Sequence, residues 1–573
     1  MGNHLIDDSS SLILTSLRGL CRSNPHLTLD TTHRVCFIKP STKRVHLVSG
    51  GGSGHEPAMA GYVGTNMLDC AVAGDVFASP SASAVTAGVV AMGDNPVLII
   101  VFSYTGDRLH FGMAVEKLNR LGGQADMVVV DDDVSVGRKQ GGRVGRRGLA
   151  GTVLVHKIAG GAAQSGQAFA AVKKQAQEVV ANLVTVGASL THASVPGSSG
   201  EESQLAQDEI EIGMGIHNEP GFQKIKTPPA NELVELLLKQ LLDQHDQDRA
   251  FVPFKANDEV VLLINNLGAI SNVELYAFTQ IVADQVESDW KLKIVRTYTG
   301  NFVTSLDGAG ASITLLNLSN MQDSDLALSY LDLPTTAPGW NCAAEASAWS
   351  SASQEVVTKP LPKEKSDAIL PVDEALTRRL IDAACNALIQ AEPEITKYDT
   401  IAGDGDAGQT LKSASLAVQE AVKNDKISLT NAVDVFGDIA GVLEESMGGT
   451  GGALYTIFFA ALAAALASSK TLDSATMANA ITAALERLQT YTTATIGDKT
   501  MMDALIPFAE TLSKTASFDK AVSACEQGAL STKGMAAGLG RASYVEASES
   551  QSVPDAGAMG IAKLVRGLQS ALA

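Results

Sequence analysis

A chain of 573 residues is too long for a single hydrophobic core, so two to four domains are expected. Its formal net charge of −20 argues against a nucleic-acid partner, because phosphate backbones require a basic surface. The content of 45% hydrophobic and 18% charged residues is typical of soluble globular proteins.

The first residues and the cysteines predict a cytoplasmic protein. Residues 1–8 are polar and acidic, unlike a secretory signal peptide. The six cysteines are scattered without any C-x-x-C pair, which favours reduced thiols over a disulfide framework or a zinc site.

Residues 1–346 have the pattern of an α/β domain. Short apolar runs alternate with stretches that predict helices, such as 114–121 and 232–242. Because the runs are apolar on both faces, we expect parallel sheets covered by helices on both sides. A Gly- and Ser-rich stretch at 194–203 separates two predicted lobes, about 1–193 and 204–346. The predicted strands are 45–48, 97–102, 127–130, 260–264 and 293–296.

A glycine-rich segment follows the first predicted strand. Four of the five residues at 50–54 are glycine, and His55 and Glu56 come next. We expect a loop whose backbone N–H groups close on a small ligand, with an acid/base pair at its end. The spacing matches neither G-x-G-x-x-G nor the P-loop, which favours a substrate over a nucleotide. The alternative is a tight turn with a core histidine.

Two further residues are suited to acid/base or nucleophilic chemistry. Asp107 follows the strand 97–102, and ligands bind at the carboxyl ends of strands in doubly wound sheets, so Asp107 is a candidate base. His217 lies among glycines at 213, 215 and 221, which leave its imidazole open to a ligand. A neutral imidazole nitrogen can add to a carbonyl. The alternatives are an aspartate in an ordinary turn and a structural histidine.

Residues 347–366 are rich in Ser, Lys, Glu and Pro and are predicted to form an interdomain linker. Beyond them, residues 367–573 show helical periodicity and predict an all-α bundle. The apolar run 453–467 is too short to span a bilayer, so it predicts a buried helix and no membrane partner.

Three aspartates in the helical region predict a metal site. Asp399, Asp404 and Asp406 lie within eight residues and repel one another unless a cation neutralises them. Hard oxygen ligands select Mg²⁺ or Ca²⁺, and the spacing is not that of an EF-hand. Mg²⁺ with phosphates completing its coordination is the preferred interpretation, and a solvated acidic turn is the alternative.

A glycine cluster at 448–452 precedes the apolar helix, and helix N-termini attract phosphate. The segments 497–503 and 540–544 add cations and hydroxyls that suit a nucleotide pocket.

Together, these segments resemble the dihydroxyacetone kinase family of the single-chain, ATP-dependent type, which includes the triokinase/FMN cyclases. The resemblance runs nearly end to end and implies a two-lobed α/β substrate domain, an all-α helical-barrel ATP domain of eight helices, and usually a homodimer. It rests on SGGGSGHEP, GDVFASP, YTGDRL, GRRGLAGTVLVHKIAG, GMGIHNEPG, GDGDAG, MGGTGG, GDKTMMDAL and GRASY, in that order.

The resemblance also implies residue roles for a short ketose or aldose as substrate. His217 would form a hemiaminal with the substrate carbonyl, Asp107 would deprotonate the terminal hydroxyl, and His55 would hydrogen-bond the substrate. Two Mg²⁺ ions would bridge the ATP phosphates. The implied substrate pocket includes Gly52, Ser53 and Gly54; the implied metal ligands are Asp399, Asp404 and Asp406; the implied ATP contacts are Gly448, Gly449, Thr450, Gly451, Lys499, Thr500, Met501, Arg541, Asp555 and Gly557.

One departure from the family bears on the substrate. Phe102 and Ser103 stand where the family has Lys-Asn, and its Lys contacts the substrate. The exchange predicts that dihydroxyacetone is a poor acceptor and that Phe102→Lys improves it; alternatively, Phe102 points into the sheet. A lesser change is Lys499 where Arg is common, because Lys keeps the charge but loses the planar fork.

Two other functions compete with the kinase. One is a lyase that converts FAD to AMP and cyclic FMN, with Mn²⁺, in the same helical domain. The other is a homologue that binds a carbonyl compound without phosphorylating it. The intact acidic triad argues against a loss of the ATP domain.

Overall fold

The computed structural model describes residues 4–6, 8–141, 145–197, 205–342, 344–350, 368–536, 538 and 551–573. The chain forms two compact units, Met1–Val356 and Val357–Ala573. The first is α/β and the second all-α, as predicted. Most of the predicted linker, at 351–366, and residues 198–203 of the predicted stretch between the lobes lie outside the described residues.

The described residues of the first unit form two six-stranded sheets. Each of the five predicted strands is present, with ends that differ by up to five residues. The strands are β1 (Thr28–Asp30), β2 (Val35–Phe37), β3 (His46–Ser53), β4 (Cys70–Val76), β5 (Val97–Phe102), β6 (Ala125–Val130), β7 (Leu183–Ser189), β8 (Glu209–Ile212), β9 (Gln223–Lys226), β10 (Glu259–Asn266), β11 (Lys293–Gly300) and β12 (Gly310–Asn317).

Helices cover the sheets and include the two predicted at 114–121 and 232–242. They are α1 (Ser9–Ser23), α2 (Ala82–Val90), α3 (Thr105–Arg120), α4 (Arg138–Gly141), α5 (Thr152–Gln164), α6 (Phe169–Ala181), α7 (Ala230–Leu242), α8 (Asn272–Ser288), α9 (Ser324–Leu331) and α10 (Ala346–Ser350).

The first sheet has the order β1-β2-β4-β3-β5-β6. Its four strands β4, β3, β5 and β6 are parallel, as predicted, and β1 and β2 add an antiparallel edge. Every residue of β5 is buried. Alternate side chains of a strand point to opposite faces, so β5 contributes to two separate apolar clusters. The carboxyl ends of β3 and β5 are adjacent in this sheet, which brings the segments that follow them together.

The second sheet corrects the prediction. Its order is β11-β10-β12-β7-β8-β9, and only β10 and β11 run parallel. The remaining pairs are antiparallel. The prediction failed because β10 is buried on both faces, which gives an apolar run whatever the direction of its neighbours.

The second unit is a closed ring of eight helices in its described part, and each helix contacts the next in sequence. The last helix returns to the first, and the ring encloses an apolar cavity of about 640 Å³. The helices are α11 (Glu374–Ala402), α12 (Ala407–Lys423), α13 (Ala432–Ser446), α14 (Gly449–Ala467), α15 (Ser474–Gln489), α16 (Met502–Thr515), α17 (Phe518–Ser531) and α18 (Ala556–Leu572).

The helix α14 is apolar on all sides. Among the described residues it is the one helix whose length and composition suffice to cross a membrane. Here it packs between α13 and α15, and Tyr455, Phe458 and Leu462 line the cavity. The predicted burial of 453–467 is only partial, since many of these side chains are half-buried.

Candidate active site

The glycine segment is a strand end rather than the predicted loop. Strand β3 continues through Gly50, Gly51 and Gly52 to Ser53. A Cβ at Gly50 would lie 2.4 Å from the carbonyl oxygen of Val72, and one at Gly52 would lie 2.7 Å from the backbone nitrogen of Ala78. The glycines are therefore required by close backbone neighbours, and the chain leaves the sheet only at Gly54, whose φ is +103°.

His55 follows this strand end and is 3% exposed. Its Nδ1 lies 2.8 Å from the carbonyl oxygen of Thr304, an acceptor, so Nδ1 carries the hydrogen. Burial, assisted by the charge of His217, lowers the pKa of His55 to about 3. The ring is therefore neutral at pH 7, and its Nε2 is a buried acceptor with no partner among the described residues.

Asp107 lies in the first turn of α3, directly after β5. Its side chain is 5% exposed, and burial raises its pKa to about 6 against the opposing effects of a Ser79 hydrogen bond and of His217. One carboxylate oxygen, Oδ1, is buried without a hydrogen-bond partner in the described part of the chain. A carboxylate with a raised pKa and a free oxygen is suited to accept a proton near neutral pH.

His217 lies in the loop between β8 and β9 of the second sheet, and its side chain is 20% exposed. The loop turns at Asn218, whose φ is +63°. The Asn218 side chain holds this conformation by exchanging two hydrogen bonds with the backbone of Ala193. His217 thus comes from the second lobe to meet His55 and Asp107 from the first.

Three rings surround the His217 imidazole. The ring centroids of His55 and Tyr104 are each 4.7 Å away and that of Phe77 is 5.2 Å away, all nearly perpendicular to it. The Nδ1 of His217 lies 2.7 Å from Glu219 Oε1. Burial acts to raise the Glu219 pKa, but the hydrogen bonds from His217 outweigh it and lower that pKa to about 2.

The residues Phe77, Tyr104 and Glu219 were missed by the sequence prediction. Each lies inside a segment that carries the family resemblance: GDVFASP, YTGDRL and GMGIHNEPG. Their presence in those segments was the available signal, but their contacts with His217 span up to 140 residues of sequence. Only the fold brings them together.

Phe102, predicted at the substrate, is 3% exposed and ends β5. It belongs to the apolar cluster that contains Leu98 and Ile100, the residues on the same face of the strand. Its contact with a substrate stays a prediction.

In the second unit, the three predicted metal ligands are brought together. Oxygen atoms of Asp399, Asp404 and Asp406 lie within 4.8 Å of one another. Asp399 lies in the last turn of α11 and accepts a hydrogen bond from the backbone of Ala407, while Asp406 occupies the N-cap position of α12. Gly403 permits this approach, since a Cβ there would lie 2.2 Å from Asp399 Oδ1.

Several predicted ATP contacts lie around the starts of α16 and α18. Asp555 caps α18, and burial raises its pKa to about 6, with further contributions from Asp503 and Asp399. Gly557 lies against Met501, since a Cβ at Gly557 would be 3.4 Å from the Met501 Cβ. The structure thus groups Asp555, Gly557 and Met501 near the acidic cluster of the same unit.

The remaining predicted ATP contacts lie at other places in the second unit. The Lys499 ammonium is buried and donates to the carbonyls of Thr532 and Val553, and Thr500 follows it in a loop closed by Asp503. The glycine cluster forms the first turn of α14 rather than a preceding loop: Gly448 is the N-cap, and Gly449, Thr450 and Gly451 begin the helix. Arg541 lies outside the described residues.

Comparisons with known proteins identify the family of both units. The Dak1 domain family matches residues 18–339 and the DAK2 domain family residues 401–570. A dihydroxyacetone kinase of Pichia angusta is 43% identical, with 98% of this chain and 97% of the relative covered. A triokinase/FMN cyclase of Mus musculus is 36% identical over 97% of this chain and 96% of the relative. The crystal structure of the dihydroxyacetone kinase from C. freundii in complex with AMP-PNP and Mg²⁺ matches with a TM-score of 0.67 and 29% identity, covering 100% of both chains.

Proposed function

Since the chain belongs to the dihydroxyacetone kinase family, we propose that it phosphorylates the terminal hydroxyl of dihydroxyacetone or a related short ketose or aldose with ATP. The observation that carries this proposal is a pair of buried polar atoms without partners. His55 Nε2 and Asp107 Oδ1 belong to side chains that both interact with His217, and neither atom has a hydrogen-bond partner in the described structure. Buried polar groups are nearly always paired, so two unpaired atoms beside a candidate nucleophile support a hydroxylated ligand.

The three side chains divide the work on such a substrate. The Nε2 lone pair of His217 forms a bond to the carbonyl carbon, the π electrons of the carbonyl move to its oxygen, and that oxygen takes up a proton. Asp107 accepts the proton of the terminal hydroxyl, whose oxygen then attacks the γ-phosphorus while ADP leaves. His55, held neutral by burial, accepts a hydrogen bond from a substrate hydroxyl. The requirement for a carbonyl excludes glycerol.

The residues of the second unit fit Mg²⁺ and ATP. Three carboxylate oxygens within 4.8 Å of one another would provide hard ligands for such an ion. When bound, Mg²⁺ would neutralise charge on the ATP phosphates. We propose Asp399, Asp404 and Asp406 as its ligands, for two ions, and the starts of α14, α16 and α18 as the nucleotide site.

The domain boundaries, the cellular location and the oligomeric state are also proposed from the family. We propose domain boundaries at 1–346 and 367–573 joined by the linker 347–366, and the division of the chain after Val356 supports a boundary within that linker. A cytoplasmic location and a homodimer are proposed from the family.

The test is turnover of the full-length chain with ATP and Mg²⁺. We expect ADP release with dihydroxyacetone or glyceraldehyde and none with glycerol. With [2-¹³C]dihydroxyacetone, the carbonyl resonance should be replaced in part by that of a tetrahedral carbon, and His217→Ala should abolish it. Turnover that is equal with glycerol, or a tetrahedral signal that survives His217→Ala, would contradict the proposal.

A second activity has support in a named relative, the triokinase/FMN cyclase of Mus musculus. The full-length chain with FAD and Mn²⁺ would then release AMP and cyclic FMN. The absence of cyclic FMN under conditions that support the kinase reaction would exclude this activity.

A further inference from the structure

We infer that Glu219 and Arg147 are positioning residues that hold His217 with Nε2 free for the substrate carbonyl. The inference rests on the proposed function and extends it to two residues that do not touch the substrate. It starts from the hydrogen bond of 2.7 Å between His217 Nδ1 and Glu219 Oε1.

This hydrogen bond selects one tautomer of His217. An ionised carboxylate only accepts hydrogen bonds, so Nδ1 must carry the hydrogen, and the lone pair of the neutral ring lies on Nε2. Rotating the ring by 180° would exchange Nδ1 with a carbon and break the bond. The other oxygen, Oε2, accepts the backbone N–H of His217 at 3.0 Å. One carboxylate therefore fixes both the ring and the backbone of the nucleophile.

Arg147 anchors the start of the loop that carries His217 and Glu219. Its side chain is largely buried and anchored by Asp133, whose Oδ2 lies 2.7 Å from Arg147 Nε. Its Nη2 donates to the carbonyl oxygen of Gly213 at 2.6 Å, at the start of the His217 loop. The guanidinium therefore ties the loop to the first lobe.

Gly215 lets the two groups face each other. A Cβ at Gly215 would lie 1.9 Å from Glu219 Oε2 and 2.7 Å from Arg147 Nη1. The carboxylate and the guanidinium thus flank the same point, which a larger residue would fill. A buried cation close to Glu219 favours the ionised carboxylate that the hydrogen bond to Nδ1 requires.

The same arrangement stabilises the adduct. When Nε2 bonds to the carbonyl carbon, the π pair moves to the oxygen, which takes a proton from water, and the ring becomes cationic. This positive charge faces the Glu219 carboxylate through the Nδ1 hydrogen. Loss of the carboxylate would remove this stabilisation and would admit the other tautomer, whose lone pair lies on Nδ1.

The first test needs no substrate. In ¹⁵N-histidine-labelled protein, the His217 resonances are assigned by their loss in His217→Ala, among ten histidines. We expect wild-type His217 to be the Nδ1–H tautomer alone, and Glu219→Ala and Glu219→Gln to show a mixture. A single Nδ1–H tautomer in both variants would overturn the inference.

The second test separates positioning from general stability. We expect Glu219→Gln to raise KM for dihydroxyacetone at least tenfold, with kcat within threefold and KM for ATP unchanged. Arg147→Lys, which keeps the cation but loses the fork, should raise the same KM about threefold. Wild-type KM values in both variants would contradict the inference.

Glu211 provides a matched control at the base of the same loop. Its carboxylate accepts the Gly221 N–H and contacts His192, and it does not contact His217. Glu211→Gln should lower thermal stability but keep the Nδ1–H tautomer. If it raised KM as much as Glu219→Gln, the effect would be structural and the inference would fall. A wild-type chain without kinase activity but with the single tautomer would instead contradict the proposed function and leave the positioning intact.

Discussion

Replacing Asp107 by Asn should make the first unit more stable and the enzyme inactive. Burial raises the Asp107 pKa from 3.8 to about 6, so keeping the group ionised at pH 7.5 costs about 3 kcal/mol of folding free energy. Asn has nearly the same shape and no charge. We expect Asp107→Asn to increase the free energy of unfolding by about 1–3 kcal/mol, which corresponds to a rise in Tm of a few degrees. Turnover should fall about a hundredfold or more.

The stability difference between Asp107→Asn and the wild type should depend on pH. Because the pKa of Asp107 is higher in the folded than in the unfolded chain, the carboxyl destabilises the fold only once it is ionised. The extra free energy of unfolding of Asp107→Asn should therefore be absent near pH 4, increase up to about pH 6, and remain constant at higher pH. In the wild type, kcat/KM should rise as the base ionises, with a midpoint near pH 6.

Urea unfolding, followed by the tryptophans, measures the stability of the first unit, because Trp290, Trp340 and Trp349 all lie in it. A coupled ADP assay measures turnover. An Asp107→Asn protein that is less stable than wild type at pH 7.5, or that retains turnover, would refute the reasoning.

Three further predictions test other parts of the structure. Asp404→Ala should abolish ATP turnover while [2-¹³C]dihydroxyacetone still forms its tetrahedral adduct; wild-type-like turnover would exclude the metal assignment. Phe102→Lys should destabilise the first unit by about 3 kcal/mol or more in urea unfolding, because it buries an ammonium among Leu98 and Ile100. It should not improve kcat/KM for dihydroxyacetone, and a tenfold gain would show that the lysine reaches the substrate. Gly52→Ala should weaken dihydroxyacetone binding and lower Tm, since its Cβ would lie 2.7 Å from a backbone nitrogen. The control is Gly112→Ala in α3, because its Cβ would meet nothing within 4 Å. This substitution should increase the free energy of unfolding by about 0.5–1 kcal/mol.

The sequence predicted those parts of the fold that depend on local pattern. The parallel strands of the first sheet and the helical faces of the second unit could be read from periodicity. The direction of the second-sheet strands could not, because β10 is equally apolar with antiparallel or parallel neighbours. The glycines at 50–52 looked like a loop because nothing local shows that Val72 and Ala78 lie against them.

The candidate groups of the site could be named from the sequence, but their environment could not. His55, Asp107 and His217 carry recognisable chemistry within short segments. Their surroundings come from elsewhere in the chain: the Thr304 carbonyl fixes the His55 hydrogen, and Tyr104 and Phe77 pack against the His217 ring. The family position of Phe102 predicts a contact with the substrate, and that contact stays a prediction. In the structure, Phe102 belongs to the apolar cluster on one face of β5, which fits the alternative predicted from the sequence.

The two candidate sites differ in their access to water, and this difference suits phosphoryl transfer. His55 and Asp107 are almost fully buried, so an acceptor hydroxyl bound there is shielded from competition by water. Asp404 and Asp406 are exposed and Asp399 is half-buried, so an ion held by these carboxylates would be accessible to water and to phosphate oxygens. Mg²⁺ dehydrates reluctantly and is usually held by a few carboxylates, substrate phosphates and water. The buried candidate base and the exposed acidic cluster are therefore each suited to one of the proposed reactants: a small neutral sugar shielded from water, and a solvated metal–nucleotide complex.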